Sequence, residues 1–170
     1  MLENPLILIF PMAMAFGAAM DLFTMTIPNR VSILLVASFA IVAWIVSPPW
    51  VVLSKHLMIA GIVFVSALAM FAMGWLGGGD AKLLSAASLW IGYDLFVTYL
   101  VYVTLIGGVL ALILLRYRQI TVLPTWVINQ PWALRLHEKT CGMPYGIALG
   151  ASGLLMYPQT VWFSALLNHQ

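Results

Sequence analysis

The sequence predicts an all-α integral membrane protein, a bundle of about six transmembrane helices. Hydrophobic residues make up 64% of the 170 residues and charged residues only 7%, whereas soluble domains contain roughly 45–50% and about 25%. Apolar segments of about 17–22 residues, long enough to cross a hydrocarbon core of roughly 30 Å, recur along the chain. We therefore expect the lipid bilayer to be the main partner of this chain.

The apolar segments give the expected order of helices. Prolines and glycines, which stop or redirect helices, lie between successive segments. The fourth segment is short for a complete crossing, so we expect a tilted or partly submerged helix there. Little chain is left for a soluble part, and 1–170 is expected to form a single transmembrane domain. The expected spans are 4–22, 31–47, 57–76, 81–93, 95–115 and 144–167.

The basic residues orient the bundle, because cytoplasmic loops of membrane proteins carry an excess of lysine and arginine. With the N-terminus outside, only Lys55 falls on the outer side. The segment 116–143 then becomes a cytoplasmic loop, either an interfacial linker or a part of the protein that holds a substrate. The basic residues on the cytoplasmic side are Arg30, Lys82, Arg116, Arg118, Arg135 and Lys139.

Composition argues against several kinds of site. A net charge of +2, without a basic cluster that contains aromatic residues, does not predict a nucleic-acid partner. Cys141 is the only cysteine, so neither a disulfide within the chain nor a cysteine-based metal framework is expected.

The predicted topology separates the five acidic residues into two groups. Glu3 and Asp94 fall on the outer side, and Glu138 lies in the basic loop, where Arg135 or Lys139 can pair with it. These three are expected to be solvated or headgroup-level charges.

Asp21 and Asp80 form the second group, because each lies at the cytoplasmic end of a long apolar segment. Acids at the membrane edge are costly and usually mark function. The chain between Asp21 and Asp80 crosses the membrane twice, out and back. Asp80 therefore returns to the side of the membrane on which Asp21 lies, and the two carboxylates can meet. Neighbouring carboxylates share a proton. This is the state that an aspartyl protease requires, with one carboxylate activating water and one carboxylic acid polarising the scissile carbonyl.

A run of three glycines, Gly77 to Gly79, precedes Asp80. Glycine can take positive φ and permits the close approach of another chain. The run is therefore expected to give an extended peptide room beside the aspartates, although a flexible turn between helices explains it equally well.

Three motifs, in order, resemble those of the type IV prepilin peptidases, membrane aspartyl proteases of the GxGD class. The segment 77–83 matches the G-x-G-D-x-K-L pattern of that family. Asp21, followed by Ile27-Pro28-Asn29, resembles its first catalytic motif, and the segment 143–148 resembles the opening of its last helix. The ordered set extends over nearly the whole chain and is more specific than a lone GxGD.

The resemblance implies a prepilin as substrate, whose leader is cut on the cytoplasmic side of the bacterial inner membrane before a hydrophobic helix. It implies Asp21 and Asp80 as catalytic residues, without metal or cofactor. The chain is similar to the short CpaA- and TadV-like members that serve Flp-type pili, and it lacks the cysteine-rich segment of members that also methylate the product. The motif residues expected to support the site are Gly77, Gly79, Lys82, Pro28, Asn29, Pro144, Tyr145 and Gly146.

Two other classes of function remain open from the sequence, a proton- or cation-coupled transporter subunit that uses the same aspartates and a catalytically silent assembly subunit. A presenilin-like assignment fails, because Tyr93-Asp94 follows the glycine motif instead of preceding it and falls on the opposite side. The sequence leaves the oligomeric state open.

Overall fold

A computed structural model describes residues 5–121, 123–138 and 140–168, and throughout these ranges the secondary structure is helical, without strands. Glu3 and Lys139, assigned above to the outer and cytoplasmic sides, lie outside the described residues. A 3₁₀ turn at Pro5–Leu8 leads into α1, and another at Tyr157–Gln159 joins the last two helices. The helices are α1 Ile9–Thr24, α2 Asn29–Val46, α3 Trp50–Ala72, α4 Gly78–Ile91, α5 Tyr93–Tyr117, α6 Thr125–Ile128, α7 Pro131–His137, α8 Tyr145–Met156 and α9 Val161–Asn168.

Among the described residues, four helical segments are long and apolar enough to cross a membrane: Pro5–Thr24, α2, α3 and α5. This agrees with an all-α membrane protein. Helix α4 has 14 residues and is therefore about 21 Å long at 1.5 Å per residue, in keeping with the short fourth segment expected. The segment 144–167 is not one continuous helix, because Pro158, which lacks a backbone N–H, lies in the 3₁₀ turn between α8 and α9. Six complete crossings therefore remain a prediction.

Helix α4 lies at the centre of the bundle, in contact with α2, α3, α5 and α8. Its fully buried Trp90 donates a hydrogen bond from Nε1 to the carbonyl oxygen of Leu35 in α2, at 2.9 Å. The same indole packs against the rings of Phe10, Phe39 and Tyr157. Three other parts of the chain thus hold α4 in place, and with it the glycine–aspartate turn at its start.

Glycines on one side of α8 allow it to pack closely on α1. A Cβ at Gly150 would lie 2.8 Å from Cβ of Ala18 and 2.9 Å from the carbonyl oxygen of Met14. A Cβ at Gly153 would lie 2.8 Å from Cε of Met14. Small residues at such contacts let helix backbones approach inside a membrane.

The opposite end of the bundle contains an exposed ion pair and a buried histidine. Lys55 and Asp94, both expected on the outer side, lie 3.4 Å apart; an exposed pair of this kind contributes about 0–1 kcal/mol. His56 is buried beside them and donates from Nδ1 to the carbonyl oxygen of Leu89, at 2.6 Å. Gly92, which connects α4 to α5, has a φ of 75° and lies directly against the His56 ring.

We expect Gly92→Ala to destabilise the fold by about 1–3 kcal/mol, because a side chain at this φ is strained and its Cβ would collide with His56. Gly108→Ala is the matched control, since a Cβ there meets nothing within 4 Å and alanine favours a helix by roughly 0.5–1 kcal/mol. Thermal unfolding of both variants in detergent measures the difference. Equal unfolding temperatures would contradict the strain at Gly92.

Candidate active site

Asp21 lies in the last turn of α1 with its side chain directed into the bundle. The helix ends three residues later at Thr24, and the next residue, Met25, takes a left-handed conformation (φ 54°) and donates its N–H to the Asp21 carbonyl oxygen. Asp21 is only 6% exposed. Its Oδ2 accepts a hydrogen bond of 2.7 Å from the backbone N–H of Gly146. That N–H belongs to the first turn of α8, where backbone donors have no partner within their own helix.

Gly146 has no room for a side chain. A Cβ there would lie 2.8 Å from both Cβ and Oδ2 of Asp21, and 3.0 Å from Cδ1 of Ile27. Glycine at this position therefore lets the α8 backbone reach the carboxylate directly. The Pro-Tyr-Gly motif that sequence analysis singled out contributes to the site chiefly through this backbone group.

Asp80 lies in the first turn of α4, immediately after the glycine run, and is half-buried. Its Oδ2 lies above Gly77, where an added Cβ would be only 2.8 Å away. Gly79 packs on Ile27, with its hypothetical Cβ 3.2 Å from the Ile27 Cβ. Ile27 thus lies against Gly79, beside Asp80, and against Gly146, beside Asp21. It belongs to the first sequence motif and contacts a glycine of each of the other two.

The conformation expected for the glycine run is wrong in one respect. The described glycines with positive φ are Gly74 and Gly92, whereas Gly77 has an extended conformation (φ −67°, ψ 142°) and Gly78 and Gly79 belong to α4. These three glycines allow close packing instead. The space beside Gly78 is taken by Phe71, whose Cε2 would lie 3.1 Å from an added Cβ.

The two aspartates interact electrostatically. Burial, and secondarily the charge of Asp21, raises the pKa of Asp80 to about 7. Asp80 lies outside the four segments long enough to span a membrane. Near neutral pH the pair can therefore hold one proton between two carboxylates, the arrangement that general acid–base chemistry on a carbonyl requires.

The remaining motif residues take different positions around this pair. Lys82 donates from Nζ to Oδ1 of Asn29, at 2.9 Å, and so links the start of α4 to the start of α2. Pro28 precedes α2, and its carbonyl accepts the N–H of Val31.

Pro144 is buried just before α8. Tyr145 is 42% exposed, and its ring packs against Gly107 of α5.

Two arginines bind backbone carbonyls near the site, which sequence analysis did not predict. Arg118 donates to the carbonyl oxygens of Leu136, Cys141 and Gly142, at 2.9, 2.8 and 2.8 Å. Arg135 donates to the carbonyl of Phe23, at 3.1 Å, although Glu138 was considered as its partner. No sequence signal separates these arginines from the other basic residues, because backbone acceptors leave no side-chain pattern.

A lateral cavity of about 660 Å³ opens between α2, α3 and α4. It begins at Asn29 and Lys82 and continues along a largely apolar wall with several small side chains. A smaller cavity of about 200 Å³ shares Phe64, Lys82 and Ser85 with it and extends to Gly78, two residues before Asp80. The larger cavity is lined by Asn29, Ser32, Ile33, Val36, Ala37, Ala60, Phe64, Lys82, Ser85, Ala86 and Leu89.

Potential metal ligands are sparse in this region. Across the part of the chain that the structure describes, no group of three or more His, Cys, Asp or Glu side chains could hold a metal ion.

Comparison with protein families gives one match, in which the model of the type IV leader peptidase family covers residues 8–115. This range is well over half of the 170 residues and contains both Asp21 and Asp80. It ends before α8, so the hydrogen bond from Gly146 is an observation independent of the match. No curated protein and no solved structure matches the chain.

We expect Asp80 to react with a hydrophobic carbodiimide, which adds to protonated carboxyls, at pH 6 and to lose this reactivity above pH 8. The reason is that a carboxyl whose pKa is raised to about 7 stays protonated below that pH and ionises above it. Asp21→Asn removes the neighbouring charge, which lowers the pKa of Asp80, so the midpoint moves to lower pH.

Mass spectrometry of the labelled peptide measures the reaction, and Asp80→Asn identifies the modified site. Asp94→Asn, at the opposite end of the bundle, is the control variant and should leave the labelling of Asp80 unchanged. A midpoint for Asp80 near 4 would contradict the raised pKa, and an unchanged midpoint in Asp21→Asn would contradict the contribution of the Asp21 charge.

Proposed function

Since the chain belongs to the type IV leader peptidase family, we propose that it is a membrane-embedded aspartyl endopeptidase that cleaves the leader from type IV, Flp-type prepilins. The observation that supports this most directly is the placement of Asp21 near the end of α1 and Asp80 at the start of α4, with Ile27 packed between the glycines beside each of them. Membership of a peptidase family also favours an enzyme over the transporter or silent assembly subunit. Methylation of the product is not part of the proposal.

The proposed reaction is peptide hydrolysis by general acid–base catalysis. One carboxylate takes a proton from water as the water oxygen bonds to the scissile carbonyl carbon, while the protonated partner donates to the carbonyl oxygen. The tetrahedral intermediate then collapses, the C–N bond breaks, and a proton passes to the leaving nitrogen. The products are a leader with a new carboxyl group and a mature chain with a new amino group.

The surroundings of the two acids support different resting roles. The Gly146 N–H stabilises negative charge on Oδ2 of Asp21. The raised pKa of Asp80 favours the protonated form at this residue. We therefore assign the shared proton to Asp80 before substrate binds, with Asp21 as the base; the roles exchange as the proton moves during turnover.

The proposal includes a topology. The charge bias of the sequence supports six crossings by a single domain, residues 1–170, in the bacterial inner membrane, with both aspartates and the loop 116–143 at the cytoplasmic side. A prepilin leader cut at that side would reach the aspartates without crossing the bilayer.

The lateral cavity between α2, α3 and α4 suits the apolar helix that follows a prepilin leader. Its wall on α4 includes Ser85 and Ala86, and opposite them lie Ala37 of α2 and Ala60 of α3. Small side chains let a second helix approach closely in a membrane. The polar end, at Asn29 and Lys82, lies beside the Asp80 turn, so a helix in the cavity would present its N-terminal end to the aspartates.

We expect Asp21→Asn and Asp80→Asn each to reduce leader cleavage by about 10²–10⁴-fold, the usual contribution of a positioned acid or base. Asp94→Asn, at the opposite end of the bundle, should cleave normally. Cleavage is measured with purified enzyme and a Flp prepilin in detergent, by the mass of the product. Processing that survives either dyad substitution would rule out the two-aspartate mechanism.

We expect Ala37→Trp to raise KM for the membrane-anchored prepilin about tenfold, the equivalent of roughly 1.4 kcal/mol, because the indole fills the lateral cavity. A short soluble peptide that contains the cleavage site but no helix should be cleaved as by wild type. Leu112→Trp is the control, since Leu112 is exposed on α5 away from the cavity. Equal effects of Ala37→Trp on both substrates would exclude the cavity as the helix site.

A further inference from the structure

We propose that Arg118 is a positioning residue for the catalytic pair, acting through residues 140–146, which lead into α8. This inference rests on the proposed function, because it concerns how Asp21 is held for cleavage. Sequence analysis assigned Arg118 only to the cytoplasmic charge bias. In the structure, Arg118 binds three backbone carbonyls that lie before α8.

Arg118 connects the end of α5 to the segment that precedes α8. Its Nε donates to the carbonyl oxygen of Leu136, the penultimate residue of α7. Its Nη2 donates to the consecutive carbonyls of Cys141 and Gly142. A guanidinium has five donors in a rigid planar fork, so a single side chain can fix acceptors that lie on both sides of a turn.

The clamped segment leads directly to the hydrogen bond at Asp21. Three residues lie between Gly142 and Gly146, and they include the buried Pro144, whose ring restricts φ. The N–H of Tyr145 donates to the carbonyl of Met143, at 2.9 Å, which tightens the same turn. A shift of the Cys141–Gly142 carbonyls would therefore move the start of α8 and the N–H that binds Asp21.

A second arginine holds α7, which precedes this segment, against α1. Arg135 of α7 donates to the carbonyl of Phe23, two residues after Asp21. The Phe23 ring packs edge-to-face on Trp132, with ring centroids 5.6 Å apart. Arg118 thus attaches Leu136 and the Cys141–Gly142 carbonyls to the end of α5, and Arg135 attaches α7 to the end of α1.

The neighbouring cation in α5 does not bind backbone carbonyls as Arg118 does. Arg116, two residues earlier, is exposed and, among the described residues, makes no side-chain hydrogen bond that resembles the Arg118 fork. It carries the same charge at the same end of the helix. Arg116→Gln therefore controls for the loss of a cytoplasmic charge, and Arg118→Gln tests the clamp itself.

We expect Arg118→Gln to lower kcat for prepilin cleavage by about 10–100-fold, because a displacement of about 1 Å in a catalytic group can reduce rate 10²-fold. KM should stay within about twofold, since substrate contacts are unchanged. Arg118→Lys should recover only part of the rate, as an ammonium lacks the planar fork. Arg116→Gln should match wild type. A change in KM alone, or wild-type kcat in Arg118→Gln, would overturn the proposal.

A double-mutant cycle tests whether Arg118 acts through Gly146. Gly146→Ala should itself lower kcat, because its Cβ collides with Asp21. If both changes misplace the same carboxylate, Arg118→Gln with Gly146→Ala should be little worse than the poorer single variant. If the losses of kcat in the two single variants multiply in the double variant, the two residues act independently. That result would overturn the proposal that Arg118 acts through Gly146.

Hydrogen exchange supplies a readout that needs no activity. Peptides from 140–146 should exchange faster in Arg118→Lys than in wild type and in Arg116→Gln, and unchanged exchange would overturn the clamp. Because it uses Arg118→Lys, this measurement still tests the Arg118 contacts if Arg118→Gln fails to fold. A failure of the proposed function has a different signature: wild-type enzyme would not cleave prepilin, or the Asp→Asn variants would.

Discussion

The contact between α1 and α8 is the constraint on which the rest of the site depends. Gly146, Gly150 and Gly153 remove the side chains that would separate the two helices, and the first of them delivers a backbone N–H to the Asp21 carboxylate. A buried carboxylate without a donor would be costly in a lipid-surrounded bundle. The same close packing that stabilises the fold therefore also fixes one half of the candidate dyad.

Helix α4 supplies the other half. It is too short to be one of the four candidate spans, yet it is the most enclosed helix of the bundle, with Trp90 held by Leu35 and by three aromatic rings. Its start carries Asp80 on a glycine turn that packs against Ile27. A rigid central helix whose polar end faces the end of α1 brings together two acids that lie 59 positions apart in the sequence.

Sequence reasoning identified the elements of this arrangement better than the contacts between them. The membrane class follows from composition, and the two aspartates stand out because acids are rare in such a chain. The break at Pro158 and the packing role of Gly77 to Gly79 were not anticipated, since a proline or glycine alone does not tell which neighbour it will meet. The three carbonyls bound by Arg118 were equally inaccessible, because backbone acceptors look the same at every position.

The loop between α5 and α8 shows why contacts that the sequence does not reveal matter for function. From the sequence it was either an interfacial linker or a part that holds substrate. Its polar contacts support a third reading, in which Arg118 and Arg135 use backbone carbonyls to hold the loop against α5 and α1. Each of these hydrogen bonds pairs a backbone carbonyl of the loop or of α1 with a charged donor, and such bonds are stronger than neutral ones. Asp21, the candidate catalytic carboxylate that accepts a backbone N–H, would then depend on residues that no side-chain motif reveals.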